Sequence, residues 1–197
     1  MSFFSNLFGK RKSQTAYKSE LTVLAIGACR RGSNKDKAVV DALIEGLEKD
    51  KSEDVRATTA ILIGESRDPS GIGPLTKALK DKSEIVRVAA CKSLGAIADS
   101  SSVEPLMTAF FKDSSKAVQG SAIEQIEKLK AVETFIQILE HNSDEFKRAL
   151  AANLLGLSRD QRAKEPLRMA ASKDKSGGVR KAATMALEGK SRRFSKA

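Results

Sequence analysis

Apolar residues recur along most of the chain at the three- and four-residue intervals of amphipathic helices. The segment 84–98 shows this spacing clearly. Its apolar stripe consists of Ile85, Val86, Ala89, Ala90, Leu94 and Ile97. Shorter segments of the same kind, such as 72–80, alternate with the longer ones, and short polar turns separate them. The pattern therefore predicts an all-α chain built from paired helices.

The helix pairs repeat along the chain. The stretch 49–53 recurs as 80–84, at a shift of 31 residues. Other features with this shift are Val55-Arg56 with Val86-Arg87, Gly64 with Gly95, and Pro74 with Pro105. The proline returns at Pro166, which leaves room for one intervening unit with Thr134 at the proline position. Each unit is an α-hairpin too small to bury its own apolar face, so we expect neighbouring hairpins to stack on one another.

The register can be followed through five hairpins. The expected helices are 37–48, 54–65, 71–80, 84–98, 103–112, 116–130, 132–140, 144–158, 163–172 and 178–188, with one more at 17–29. We divide the chain into an N-terminal segment (1–16), a repeat body (17–189) and a basic C-terminal tail (190–197).

The third and fourth hairpins depart from the repeat. Gln119 replaces the arginine of the third hairpin, and no Leu-Gly pair is found near Lys128. In the fourth hairpin Asn142 replaces the turn aspartate, and we assign Lys147 to the arginine position. We expect a local change of curvature at these two hairpins.

At these repeated positions the sequence resembles the HEAT repeat family, in particular the short HEAT-like repeats of phycobilin lyase subunits. The resemblance covers residues 37–188 and rests on the Pro-Leu, Asp-Lys-Ser, Val-Arg-x-x-Ala and Leu-Gly positions. It implies a right-handed α-α superhelix, a HEAT-like solenoid of about five hairpins, whose second helices line the concave side. Because this repeat serves enzymes, scaffolds and adaptors alike, the resemblance indicates the fold more than the function.

Aspartates in the turns and arginines one helical turn later recur with the repeat. The resemblance implies a structural ladder in which these side chains tie one hairpin to the next. The expected aspartates are Asp50, Asp81, Asp113 and Asp174, and the expected arginines are Arg56, Arg87 and Arg180.

The residue types needed for catalysis are scarce. The sequence has one histidine, His141, which excludes metal sites that need two and also excludes the His-Glu pairs of a deoxyhypusine-hydroxylase-like di-iron centre. Cys29 and Cys91 lie 62 positions apart within apolar helical patterns, which favours packed, reduced thiols over a disulfide or a nucleophile. We therefore expect no catalytic residue, metal or cofactor, and a cytoplasmic protein.

The positive charge is concentrated at the two ends. The chain has 35 Lys and Arg against 25 Asp and Glu, yet residues 1–18 contain no acid and residues 168–197 contain only two. The first residues also combine an apolar face with a basic triplet, formed by Phe3, Phe4, Leu7 and Phe8 with Lys10, Arg11 and Lys12. This segment is interpreted either as a cap on the first helices or as a peripheral contact with an anionic membrane. The basic tail 190–197 is interpreted as a disordered extension.

Three functions remain open on these grounds. The favoured one is a non-catalytic adaptor, scaffold or assembly factor that binds a partner protein on the concave face. The residues expected to contact the partner are Arg56, Arg87, Lys92, Gln119, Lys147 and Arg180. The alternative is a bilin lyase-like subunit acting on phycobiliproteins, which would shift the absorption of added phycocyanobilin. Nucleic-acid binding through the basic ends is least favoured, because the repeat body between them is close to neutral.

Overall fold

The computed structural model describes residue 25 and residues 37–194. Within 37–194 the chain forms ten α-helices and no strand. They are α1 (Lys37–Lys49), α2 (Glu53–Ser66), α3 (Ile72–Ala78), α4 (Glu84–Ile97), α5 (Val103–Lys112), α6 (Lys116–Leu129), α7 (Val132–His141), α8 (Glu145–Ser158), α9 (Lys164–Lys173) and α10 (Gly177–Leu187). The helix ends lie within two residues of those expected from the sequence. The helix expected at 17–29 falls outside the described residues, apart from the buried, helical Ala25.

Consecutive helices pack as hairpins: α1 on α2, α3 on α4, α5 on α6, α7 on α8, and α9 on α10. The predicted all-α, HEAT-like class is therefore confirmed. The contacts divide the chain into two compact units, an N-terminal unit (Met1–Ile97) and a C-terminal unit (Ala98–Ala197).

In the N-terminal unit the second helix of one hairpin packs along the second helix of the next, α2 against α4. Leu43, Ile63, Leu75 and Leu94 are fully buried between these hairpins. The helices come very close where α2 has Gly64, because a Cβ atom there would lie 2.6 Å from the Cα atom of Ser93. A glycine is needed at this contact because no other side chain fits between the two backbones.

In the C-terminal unit α8 packs along α10, and α7 contacts α9. The core includes Leu106, Ile126, Phe135 and Leu155, each at most 2% exposed. Burial of these large apolar side chains is what stabilises hairpins that are too small to fold alone.

Most second helices end in the same way. Arg67, Ala98, Lys130 and Arg159 follow the last helical residues and adopt left-handed backbone conformations. At three of these ends the next residue is an aspartate whose carboxylate accepts a backbone N–H two residues later and caps a short 3-10 turn: Asp68, Asp99 and Asp160. This common ending sets the direction in which the following first helix begins.

Candidate protein-binding surface

A buried ion pair joins the two described hairpins of the N-terminal unit. Arg56, on α2, donates from Nε and Nη2 to the carboxylate of Asp81 at 2.8 and 2.9 Å. Its Nη1 donates to the backbone oxygens of Asp50 and Lys51 at 2.9 and 3.1 Å. Arg56 is 4% exposed, so its guanidinium ties the start of α2 to the turn before α4. We expected Arg56 to be exposed for partner binding, and this expectation was wrong because both hairpins enclose the side chain.

The same arrangement recurs in the C-terminal unit, with Arg148 in place of Arg56. Arg148 donates to the two carboxylate oxygens of Asp174 at 2.9 and 3.0 Å. Its Nη1 donates to the backbone oxygens of Asn142 and Ser143. Arg148 therefore occupies the arginine position, and the assignment of Lys147 to that position was wrong by one residue. The reason is that Asp144 caps α8 through its side chain, which places the helix start one residue later than assumed.

Both pairs are charged and held in place. Burial alone would raise the pKa of Asp81, but the hydrogen bonds from Arg56 and the Ser83 amide hold it below its ordinary value. Hydrogen bonds from Arg148 likewise lower the pKa of Asp174 and outweigh the effect of burial. The hydrogen bonds to the carboxylates raise the pKa of both arginines. These side chains therefore contribute to the fold and are not available to a partner.

Polar substitutions replace this ion pair between the third and fourth hairpins. Asn142 donates from Nδ2 to Glu104 at 2.8 Å, and Lys147 donates from Nζ to the other carboxylate oxygen of Glu104. Lys147 stands where the other hairpins have a valine, and its side chain is only 14% exposed. Gln119 donates to the backbone oxygen of Asp113 at 2.7 Å, as the arginine does in other repeats. The third and fourth hairpins thus meet through α5, at the place where the sequence predicts a departure from the repeat.

The remaining residues of the predicted surface differ in exposure. Lys92 on α4 and Arg180 on α10 are exposed, whereas Arg87, Gln119 and Lys147 are half-buried. Arg180 donates to the backbone oxygens of Asp174 and Lys175 in its own hairpin.

Exposed apolar side chains on the second helices were missed by the sequence analysis. Ile61 is 46% exposed on α2, Ile85 is 55% exposed on α4, and Phe146 is 65% exposed on α8. We had placed Ile85 in the buried stripe of its helix, which was wrong because it lies in the first turn and faces solvent. A signal was present in the repeat, since Asp54, Ala117 and Gly178 hold the equivalent position and are polar or small.

The beginning of the basic tail lies against the C-terminal unit, which contradicts the expected disordered extension for residues 191–194. Asn153, on α8, donates to the backbone oxygen of Arg192 at 2.7 Å and accepts the Arg192 N–H at 3.0 Å. The N–H of Phe194 donates to Glu127 on α6 at 2.7 Å. The Phe194 ring lies 6.0 Å from the Phe110 ring, in an edge-on arrangement.

Two cavities flank this tail. One, of about 940 Å³, lies among the end of α8, α9 and α10. The other, of about 710 Å³, lies among the end of α6, the start of α7 and the end of α8. Asp160 lines both, and hydrogen bonds from Arg162 lower its pKa to about 2. Arg193 of the tail lines both cavities as well.

The described residues contain no group of three or more His, Cys, Asp and Glu side chains placed to hold a metal ion. The His141 side chain is 70% exposed, and Cys91 is fully buried in α4. None of the helices in 37–194 is long and apolar enough to cross a membrane. Cys29 and the apolar and basic residues of the predicted N-terminal contact, Phe3 to Lys12, lie outside the described residues.

No curated protein matches this sequence. Among solved structures, human deoxyhypusine hydroxylase in complex with glycerol is 18% identical, with 92% of this chain and 81% of that chain covered and a TM-score of 0.48. The complex of CpcE and CpcF of phycocyanin lyase from Nostoc sp. PCC7120 is 16% identical, with 93% and 97% covered and a TM-score of 0.42. A designed armadillo repeat protein in complex with the peptide (KR)4 is 21% identical, with 89% and 92% covered and a TM-score of 0.44.

The family comparison covers most of the chain. The model of HEAT repeats matches residues 40–127 and 132–192, which cover nearly the whole of the five described hairpins. Together with the paired helices and their recurring arginine–aspartate contacts, this match shows that the chain belongs to the HEAT repeat family.

Proposed function

We propose that this chain is a non-catalytic scaffold, either an adaptor or an assembly factor, that binds a partner protein through the exposed face of its second helices. The observation that supports this most directly is the exposure of large apolar side chains on those helices. Ile61 and Ile85 lie on consecutive second helices of the N-terminal unit and are 46% and 55% exposed. The repeat position of Ile85 lies seven residues, about two helical turns, before that of Ile61, so both side chains fall on one face of the second helices. Single exposed apolar residues are common, but large ones that share a face of neighbouring helices are typical of a binding surface.

The charged neighbours of these residues fit the same role. Lys92 is exposed on α4. It stands at the repeat position that Ile61 holds in α2. Apolar anchors with charged residues around them provide contact area at the centre and orientation at the rim of an interface. Arg87, Gln119, Lys147 and Arg180 remain proposed contributors, whereas Arg56 is withdrawn because it is buried.

The test uses the intact chain as bait. The protein carrying Ile61→Asp and Ile85→Asp together is compared with wild type by affinity capture from cell extract, chemical cross-linking and mass spectrometry. We expect the double variant to lose the partner that wild type retains, because two exposed apolar side chains that the partner would cover become charged. Met169→Asp is the matched control, since Met169 is 46% exposed on a first helix, α9.

Circular dichroism of each variant shows whether the helices are intact. Recovery of the same partner by all three proteins at equal yield would contradict the proposed surface.

A further inference from the structure

We infer that α8 of the C-terminal unit contains a binding site for an extended peptide, and that residues 191–194 of this chain fill it as a tethered ligand. The segment of a partner that takes their place would carry an aromatic side chain two residues after the residue bound by Asn153. This inference rests on the proposed function and names the chemistry of the partner segment.

The first argument is the way Asn153 binds the tail backbone. Its carboxamide donates to the Arg192 carbonyl at 2.7 Å and accepts the Arg192 N–H at 3.0 Å. A carboxamide has one donor group and one acceptor, which complement the C=O and N–H of a single residue as a neighbouring strand does. Both bonds involve main-chain atoms, so this contact accepts any residue except proline in an extended segment.

A second contact lies on the same edge of the segment. The N–H of Phe194 donates to Glu127 on α6 at 2.7 Å. In an extended chain the N–H groups of residues two apart point in the same direction, so Arg192 and Phe194 present theirs together. Two second helices, α6 and α8, therefore bind one edge of the tail.

The aromatic side chain supplies the selectivity. The Phe194 ring lies 6.0 Å from Phe110 at an interplanar angle of 62°, and Phe110 in turn lies 4.8 Å from Phe111. Edge-on aromatic pairs at these distances are favourable beyond the burial of apolar area, because the positive edge of one ring meets the negative face of the other. Phe194 is nevertheless 49% exposed, so the ring is docked on the surface and can be displaced.

Gly156 of α8 lets both α10 and the tail come close to this helix. A Cβ atom there would lie 2.8 Å from the Cα atom of Ala186 on α10 and would also collide with the hydroxyl oxygen of Ser191 in the tail. Asn153 and Gly156 are three residues apart and so share one face of the helix. The repeat position of Gly156 is held by Glu127 in α6, where the carboxylate serves as the acceptor for Phe194.

The position between the two anchored residues is not restricted in size. Arg193 lines cavities of about 940 and 710 Å³, so this position has room for side chains of different sizes. The site therefore selects a backbone-bound residue, then an unrestricted residue, then an aromatic one.

The tether determines how strongly a separate peptide must compete. Helix α10 ends at Leu187, so only a few residues separate it from the bound segment, and short linkers give effective concentrations of about millimolar. A peptide in solution must exceed this value to displace the tail. Weakening the tail in place should therefore tighten the binding of an added peptide.

The first experiment follows the tail in the full chain. The sequence has no tryptophan, so Phe194→Trp provides a single fluorescent reporter. Because Phe194 is 49% exposed when docked, we expect Asn153→Ala to about double the quenching of this tryptophan by acrylamide and to shift its emission to the red. Lys92→Ala, at the equivalent position of α4, is the matched control and should change neither reading.

The second experiment measures binding of a labelled peptide with the sequence of residues 189–197 by fluorescence anisotropy. We expect the full chain with Phe194→Ala to bind it about tenfold more tightly than wild type, since the tethered competitor is weakened. Adding Asn153→Ala to that variant should abolish binding. Replacing the phenylalanine of the peptide by alanine should weaken its binding about tenfold, the same loss as in the tail. Replacing the arginine before that phenylalanine should have little effect.

Two results would overturn the inference: equal quenching with and without Asn153→Ala, or no peptide binding by the correctly folded Phe194→Ala chain. Thermal melts followed by circular dichroism show whether each variant is folded. These measurements use purified components, so they can succeed even if no cellular partner is captured on α2 and α4. Conversely, capture of a partner through α2 and α4 without any peptide binding on α8 would support the proposed function and contradict only the peptide site.

Discussion

In the described part of each unit, one buried arginine makes hydrogen bonds with nearly every donor group it has. In Arg56, the Nε, Nη1 and Nη2 atoms donate to Asp81 and to two backbone oxygens. The planar guanidinium suits this arrangement, whereas a lysine would supply one charged centre and leave acceptors unsatisfied. In the C-terminal unit, Arg148 forms the same kind of buried pair with Asp174. The arginine position of the repeat is therefore a structural joint between hairpins.

Removing this joint should destabilise the fold strongly. We predict that Arg56→Ala lowers the free energy of unfolding by about 3 kcal/mol, because it leaves the Asp81 carboxylate partly buried without its counter-charge. Urea denaturation followed by circular dichroism measures the change. Arg180→Ala is the control: Arg180 is exposed and bonds only its own turn, so we expect a change within about 0.5 kcal/mol. Equal losses in the two variants would contradict the role given to Arg56.

The same pairs predict how stability depends on pH. The pKa of Asp81 and of Asp174 lies below the ordinary value of 3.8 in the folded chain. Their contribution to stability is therefore complete above that value and is lost as the pH falls through the folded pKa. In the Arg56→Ala variant burial acts on Asp81 without the opposing hydrogen bonds and charge of Arg56, so the pKa of Asp81 rises.

We expect the destabilisation caused by Arg56→Ala, measured by urea unfolding followed by circular dichroism at a series of pH values, to be full near neutral pH and to shrink as the pH falls through the folded pKa of Asp81. The reason is that the wild type then loses the pair that the variant already lacks. Arg180→Ala should follow the wild-type pH dependence. A destabilisation by Arg56→Ala that stays the same down to acidic pH would show that the ion pair does not govern acid stability.

At the scale of helices, close packing between second helices depends on small residues. Gly64 on α2 faces Ser93 on α4, and Gly156 on α8 faces Ala186 on α10. In α6, Glu127 stands at this position, and the third hairpin meets the fourth through α5 contacts to Asn142 and Lys147. Where this repeat position holds a glycine, the second helices pack closely. Where it holds Glu127, the neighbouring hairpins meet through α5 instead.

We predict that Gly64→Ala destabilises the chain by about 1–3 kcal/mol, since the added methyl group overlaps the backbone of Ser93. Gly120→Ala is a sharp control, because Gly120 also lies within a second helix but has no atom within 4 Å of the added Cβ. There the higher helix propensity of alanine should stabilise the chain by about 0.5–1 kcal/mol. Thermal and urea unfolding measure both, and the same sign for both variants would contradict the packing argument.

The helix limits could be predicted because most hairpins share the same turn and proline signals, so the register of one hairpin helps to place the next. The side-chain environment could not be predicted to the same degree. Lys147 was misplaced because the helix was expected to begin at residue 144, whereas Asp144 is its cap and the helix begins at Glu145. Ile85 was placed in the core because periodicity does not distinguish a first-turn position that faces solvent. The docking of Phe194 depends on Asn153, Glu127 and Phe110, which are far apart in sequence and follow no local pattern.

At the scale of the whole molecule, stability in a repeat protein is a sum of hairpin terms and terms between neighbouring hairpins. The Arg56–Asp81 and Arg148–Asp174 pairs stabilise contacts between neighbouring hairpins, one pair within each compact unit. A change in one such pair should therefore weaken its own and adjacent helices more than distant ones. Local opening measured by hydrogen exchange reports this distribution directly.

We predict that Arg148→Gln lowers the amide protection of α8, α9 and α10 by about 100-fold, the equivalent of a lost buried pair, while α1 and α2 keep protection close to wild type. Hydrogen–deuterium exchange with mass spectrometry on the full chain resolves these helices as separate peptides. The control is Arg168→Gln, because Arg168 forms only a solvent-exposed pair with Glu165 on α9 and its loss should leave all helices unchanged. A uniform loss of protection from α1 to α10 in Arg148→Gln would instead show that the chain unfolds as one cooperative body, contrary to the nearest-neighbour account.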